Sequence, residues 1–457
     1  MNEENRLGTE NVKSLLFSLA IPAIIGQLIS LLYNIVDRMY IGHIPEIGGD
    51  ALTGVGVTAP ILIIISAFSV LVGMGGAPRA SIKMGEKDNE GAEEIMGNCF
   101  VSLIGISIIL TVLFSIFNEK LLVIFGASEK TLPYALEYMK IYTLGTIFVQ
   151  LAVGMNPFIS SQGFAKISMI TVSIGAIINI VLDPIFIYGL KMNVKGAALA
   201  TVISQGISAI WVIHFLRGDR TNLKLKKENF KINRHIMGPV LLLGLSPFVM
   251  QITESFIIIA FNFNLQKYGG DVAVGAMTIL SAAMQFTFLP LSGLTQGAQP
   301  IMSYNYGAKN KERMKDTFKY LCISTVTYST VFWLFIMIAP QLFSKIFTND
   351  KAIIDMATQG LRIYMAGAFA LGIQIACQQT FIALGNARTS LFLALLRKVF
   401  LLIPLVLILP NILSNKVFAV FLAEPISDII AATVTGILFY KDFSSTLRSM
   451  PNTPSYN

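Results

Sequence analysis

Charge is what this sequence has least of. Asp, Glu, Lys and Arg make up 13% of its 457 residues, about half the usual share in soluble domains. The set of about three soluble domains that this length would otherwise suggest is therefore excluded. Histidine and cysteine are scarcer still, at three copies each. Cys99, Cys322 and Cys377 all lie in apolar runs and show no metal-ligand spacing, so they read as packing residues rather than a redox or zinc site. The first apolar run is too long for a cleaved signal, and no small-residue cleavage pattern follows it. The net charge of +8 does not point to nucleic acid, because the basic residues sit in the short segments between apolar runs.

Those apolar runs dominate the chain. Hydrophobic residues reach 54%, and the mean hydropathy is +0.68. Stretches near 20 residues recur, each long enough to cross a hydrocarbon core of about 30 Å. In that solvent the backbone must pair with itself, which leaves the helix as the spanning element. About twelve spans are expected, at 14–42, 52–77, 95–117, 135–158, 166–189, 195–216, 236–265, 272–302, 318–339, 356–384, 389–410 and 416–440. The fold class is an all-α polytopic membrane protein. Loop charge alternates. "LRGDRTNLKLKKENFKINRH" carries seven Lys/Arg, "YGAKNKERMKDTFK" five and "RASIKMGEK" three, against none in "HIPEIGGD" and one in "LQKYGGD". The positive-inside rule then puts both termini and the even-numbered loops in the cytoplasm of a multi-pass plasma-membrane protein.

The chain repeats itself. Gly75, Pro78 and Gly85 fall on Gly297, Pro300 and Gly307 at a shift of 222 residues. The same shift carries Phe125 to Phe347, Tyr142 to Tyr364 and Gly163 to Gly385. Two six-helix lobes are expected, 1–216 and 236–457, joined by the basic linker 217–235. An even number of helices per half makes the repeat parallel. Parallel halves around a site are a transporter design, in which one half rocks against the other.

Against this background, polar residues inside spans stand out. Asp37 lies about five residues short of the outer end of the first span, and Asp183 about six short of the outer end of the fifth. Thr201 lies about six into the sixth span, which returns inward. At the helical rise, all three sit roughly 8–9 Å below the outer helix ends. Asn179, four residues before Asp183, shares its helix face, and Pro184 should free a backbone carbonyl. Two carboxylates, an amide and a hydroxyl are hard oxygen donors, suited to Na⁺ or a proton. Two carboxylates in a low-dielectric setting need a cation or a shared proton between them, and intramembrane ionisable groups mark function. The bland alternative for Asp37 is a pairing with neighbouring Arg38.

The second half does not keep this set, since Asn179 and Asp183 shift onto Leu401 and Leu405. It has its own charges: Glu254, Arg397, Lys398, Glu424 and Asp428. Glu254 is a candidate for holding a cationic substrate, or else for a salt bridge to Arg397 or Lys398. Met155 and Asn156, before Pro157, are candidates for lining a substrate cavity, or else for a helix break. Nineteen methionines and thirty-one phenylalanines suit both a permissive cavity and ordinary packing.

Four stretches carry a family resemblance over nearly the whole chain: "NIVDRMYIG", "GMGGAPRASIKMGEKD", "INIVLDPIFIYGLKMNVKGAALATVISQ" and "QGAQPIMSYNYGAKN". Together they resemble the multidrug and toxic compound extrusion (MATE) family. That resemblance implies a twelve-helix, two-lobe, V-shaped exporter that is not an enzyme and has no catalytic residues or organic cofactor. It implies antiport of drugs and organic cations against Na⁺ or H⁺, by single chains in a lipid bilayer. It also implies a first-lobe cation site at Asp37, Asn179, Asp183 and Thr201, and a cavity position at Asn156. The branch with acids in spans seven and ten is matched only at Glu254, because the tenth span has no carboxylate. A lipid-linked saccharide flippase is the alternative cargo reading, resting on the basic pair Arg397–Lys398. An intramembrane aspartyl protease would need a Gly-x-Gly-Asp setting that "IVLDPIF" lacks. Paired titratable groups argue for coupling rather than for a passive channel.

Overall fold

A computed structural model describes residues 5–451 and is helical throughout, with no strand among the described residues. A short helix α1 (Arg6–Thr9) precedes α2 (Val12–Gly42), α3 (Gly48–Gly85) and α4 (Asn89–Ile124). Next come α5 (Leu132–Leu144), α6 (Thr146–Ser160), α7 (Ala165–Pro184) and α8 (Val194–Arg217). The remainder comprises α9 (Arg234–Gly307), α10 (Lys311–Ile338), α11 (Pro340–Lys345), α12 (Lys351–Tyr364), α13 (Leu371–Ala383), α14 (Ala387–Leu395), α15 (Ile403–Ile412) and α16 (Lys416–Ser449). Among the described residues, nine helices are long and apolar enough to cross a membrane. The bent pairs α5–α6 and α12–α13 raise that to eleven. The 74-residue α9 is two spans meeting at Gly270, whose φ of 62° only glycine adopts without strain, and this brings the number to twelve. Isoleucine, leucine, valine and phenylalanine side chains stand exposed along α4 at Ile108, Ile109, Val112, Leu113, Ile116 and Phe117. An exposed apolar stripe of this kind is what a membrane-spanning helix presents to its surroundings.

The 222-residue register recurs in the backbone. Lys87 and Lys309 both take positive φ, as do Gly163 and Gly385. Asp88 caps α4 through the Gly91 amide, and Asn310 caps α10 through the Arg313 amide. The two bends, 59° between α5 and α6 and 48° between α12 and α13, fall at the mates Gly145 and Gly367. Helices α7 and α14 begin on the mates Ala165 and Ala387.

Packing divides the described residues into two bundles, Ile21–Phe248 and a second made of 5–20 with 249–451. These packing units differ from the halves that meet at the 217–235 linker. The reason is local: α2 and α9 each start on one bundle and finish in the other. In the first bundle, the opening turns of α9 press on α3 so closely that a Cβ added to Gly75 would lie 2.1 Å from the Val240 carbonyl oxygen. In the second, a Cβ on Gly297 would lie 2.5 Å from the Ala20 amide nitrogen. These glycines let helix backbones touch, as small residues do in membrane interfaces.

Both lead-in segments are pinned by hydrogen bonds. In the first bundle, Glu93 Oε1 accepts from the Lys224 amide at 2.8 Å and Glu93 Oε2 pairs with Lys226 at 2.6 Å. Asn98 Oδ1 accepts from the Asn233 amide at 2.6 Å, and Gln162 Oε1 from the Leu223 amide at 2.8 Å. The basic linker is thus tied down rather than free. In the second bundle, the Leu7 carbonyl accepts from Asn305 at 2.9 Å and Arg313 at 3.0 Å.

The first bundle's core gathers Ile61, Ile65, Leu110, Phe114, Met139 and Val149, among others. The second gathers Phe261, Leu280, Leu291, Leu361, Leu371 and Phe421 around α16.

Candidate cation site in the first bundle

Asp37 reaches the site from α2, five residues before the helix ends at Gly42. Asn179 and Asp183 come from the last turns of α7. Pro184 closes that helix, and the backbone continues as a π-helical segment, Ile185–Gly189. A proline supplies no amide hydrogen to the ladder, and single π-turns of this kind cluster at functional sites. Thr201 lies on α8, which packs along α7.

The structure brings these four side chains together. The Asp37 and Asp183 carboxyl groups are within hydrogen-bonding reach of each other. Asn179 Nδ2 donates to Asp183 Oδ1 at 3.3 Å and to Thr201 Oγ1 at 3.3 Å. Thr201 in turn gives its hydrogen to the Ala197 carbonyl at 3.0 Å. Asn179 and Asp183 are almost wholly enclosed, at 1% and 0% exposure, while Asp37 and Thr201 are partly open. No ion pair among the described residues involves Asp37; Arg38 is exposed and acts on Asp37 only through its charge.

Three buried oxygens in this group have no hydrogen-bond partner: Asp37 Oδ1, Asp183 Oδ2 and Asn179 Oδ1. Each such acceptor forfeits about 1–3 kcal/mol relative to a satisfied one. Two carboxylates in contact also repel when both are ionised. Acceptors without donors, all hard oxygen, are the donor set for a small monovalent cation, so the residues present fit Na⁺ or a proton. No cluster of three or more His, Cys, Asp and Glu occurs among the described residues.

Two tyrosines escaped the sequence reading. Tyr33 stands one turn before Asp37 and feels its charge; the i, i+4 spacing was its signal. Tyr138 lies beside Thr201, and its ring stacks on Tyr142 at 5.9 Å between centroids. Tyr138 comes from α5, and nothing in its sequence neighbourhood points to the site.

The other candidates lie apart from this group. Met155 has no exposed surface in this structure. Asn156 is partly exposed, and its Nδ2 donates to the Ser168 carbonyl at 3.3 Å. Pro157 sits inside α6 without ending it, so the alternative reading of a helix break does not apply there. Glu254 does not stand free for a cationic substrate, because Lys398 Nζ holds it at 2.6 Å. Arg397 is held by Glu424 and Asp428 at 3.0 and 2.7 Å. The basic pair that would have suited a pyrophosphate cargo is thus already neutralised.

The MatE family model matches residues 22–185 and 247–408. Multidrug export protein MepA of Staphylococcus haemolyticus (strain JCSC1435) is 29% identical over 415 residues, covering 90% of each chain. MepA of Staphylococcus aureus (strain N315) is 28% identical over 425 residues, covering 92% of each. A crystal structure of MATE in complex with MaD3S superimposes with a TM-score of 0.90 at 22% identity, over 98% of this chain and 100% of that one. At that identity the superposition speaks to the fold.

Proposed function

This chain belongs to the MatE family of membrane transporters, and from that premise we propose that it is a secondary-active multidrug exporter. In this reading it expels drugs and organic cations in exchange for Na⁺ or H⁺, by alternating access across the cell membrane, with both termini in the cytoplasm. The single chain is the working unit. The names of the MepA relatives support the cargo class, and the loop-charge pattern supports the orientation.

The observation that carries the coupling is the approach of Asp37 to Asp183, each with one buried oxygen unpaired, beside the unpaired buried oxygen of Asn179. A cation, when bound, supplies the positive charge that this pair lacks. The chain's own residues do the rest. Asn179 orients Asp183 through its amide, Thr201 fixes Asn179, and the enclosing helices α7 and α8 keep water from screening the pair. With the site empty, repulsion pushes α2 away from α7; with it filled, the two helices are drawn together. An ion can shift a conformational balance only by binding one state better, and this difference in helix contact is such a preference. Asn156 and Glu254 are proposed as positions met by the substrate, Glu254 only after Lys398 releases it.

The test is transport in proteoliposomes with Na⁺ and proton gradients imposed separately, comparing the parent chain with Asp37→Asn and Asp183→Asn. Uphill drug accumulation should be lost in both variants while downhill exchange persists. Accumulation at the parent level in both would remove the coupling role.

A further inference from the structure

The second bundle contains a charge imbalance that the antiport reading leaves unused. The side chains of Arg397, Glu424 and Asp428 are 3%, 4% and 0% exposed, so all three are buried. Arg397 Nη2 reaches Glu424 Oε1 at 3.0 Å and Asp428 Oδ1 at 2.7 Å, while Arg397 Nε donates to the same Asp428 oxygen at 2.8 Å. Two carboxylates therefore share one guanidinium, and their bonded oxygens lie within two hydrogen-bond lengths of each other. Asp428 Oδ2, equally buried, has no partner at all. Lys398 cannot make up the difference, because its ammonium is committed to Glu254. With both acids ionised the triad would hold one uncompensated negative charge in a dry interior, a state proteins avoid by neutralising the group.

The surroundings hold this triad firmly. Residues Leu396–Leu402 are wound as a π-helix, and Ser427 Oγ donates to the Arg397 carbonyl at 2.9 Å. The guanidinium lies over the Phe288 ring at 5.3 Å. The charged and titratable groups facing the acids are Arg397 and Lys398 of the π-helical segment, Glu254 of α9, and the Tyr364 phenol of α12, which is within electrostatic reach of all three carboxylates. Helices α13 and α15 bring no charged side chain against them. A metal ion would sit beside a guanidinium and find acceptors already taken, whereas a proton needs one free oxygen.

We propose that Glu424 and Asp428 hold one exchangeable proton between them, so that the second bundle is a proton-binding site separate from Asp37 and Asp183. Loading is a single protonation: an O–H bond forms on one carboxylate oxygen, and release returns the proton to water. The inference does not rest on the antiport reading.

The experiment is an infrared pH titration of the full chain in lipid nanodiscs. It is run in an Asp37→Asn, Asp183→Asn background that silences the first bundle. The expected result is the C=O stretch of a protonated carboxylic acid that shifts in heavy water and is lost on alkalinisation. Adding Asp428→Asn should abolish it. Adding Glu424→Gln instead should also abolish it, because either change leaves the remaining carboxylate with Arg397 to itself. Absence of the band from the background chain, which needs no further variant to fold, would overturn the proposal. So would a band that survives either neutralisation, since it would belong to a single acid or to another site.

Discussion

The two bundles use corresponding helices for opposite electrostatic solutions. In the first, α2, α7 and α8 supply Asp37, Asn179, Asp183 and Thr201, a set rich in acceptors and without a cation. In the second, the matching α9, α14–α15 region and α16 supply Glu254, Arg397, Lys398, Glu424 and Asp428, which pair among themselves. The residues do not correspond. At the 222 shift, Asp183 falls on Leu405 and Thr201 on Ala423, while Arg397 falls back on Gly175 and Asp428 on Gly206. The duplication kept the devices that shape the backbone, such as caps, left-handed residues and bends. The intramembrane charges it did not keep. A cap or a turn is required wherever the chain turns, but a buried charge is tolerable only beside its own partner, so charges are free to differ once the partners differ.

That contrast can be broken from either side. The largest effect should come from the first bundle: Asp183→Asn should abolish uphill drug accumulation in proteoliposomes while leaving the chain folded, because a neutral amide relieves the repulsion there. In the second bundle the same logic runs in reverse. Arg397→Met should strand two buried carboxylates and destabilise the chain by about 3–5 kcal/mol, read as lost thermal stability in detergent. Adding Glu424→Gln and Asp428→Asn should restore most of that loss.

Effects on packing come next. Gly244→Ala places a Cβ 1.8 Å from the Leu71 carbonyl oxygen and should cost about 1–3 kcal/mol or more through overpacking, again visible in the melting temperature. The smallest effects separate the two mated caps. Asp88→Ala and Asn310→Ala should each cost about 1 kcal/mol. Only Asp88 titrates: the Gly91 amide, then Lys83, hold its carboxyl below the usual carboxylate range. Its contribution is therefore complete above the ordinary value of about 3.9 and fades as pH falls through the depressed one. It is modest because the side chain is 43% exposed. The stability gap between the parent and Asp88→Asn should close in acid, whereas Asn310 variants should show no such trend.

Much of this was legible in the sequence. Apolar run lengths placed the spans because lipid admits no other spanning backbone here. Counting residues from span ends placed Asp37, Asp183 and Thr201 at one depth because the helical rise is fixed. The bends at Gly145 and Gly367 were not legible, since neither glycine differs in composition from glycines that stay helical. Tyr138 was hidden for a related reason: α5 meets α8 only in three dimensions. The exchange of the first turns of α2 and α9 between bundles was equally invisible, because the apolar pattern of a helix does not say which bundle it packs on. For Glu254, pattern reasoning left a substrate role and a Lys398 bridge open. Only the 2.6 Å contact decides what it holds in this structure.

The central claim is that Asp37 and Asp183 meet closely enough to share one small cation. A thiolate bridge tests it directly. In a chain with Cys99, Cys322 and Cys377 replaced by alanine, Asp37→Cys and Asp183→Cys together should retain one Cd²⁺ per chain in equilibrium dialysis, since soft thiolates bind such an ion tightly. Either single variant should retain none. Equal Cd²⁺ retention by the single and double variants would place the two side chains apart and contradict the account.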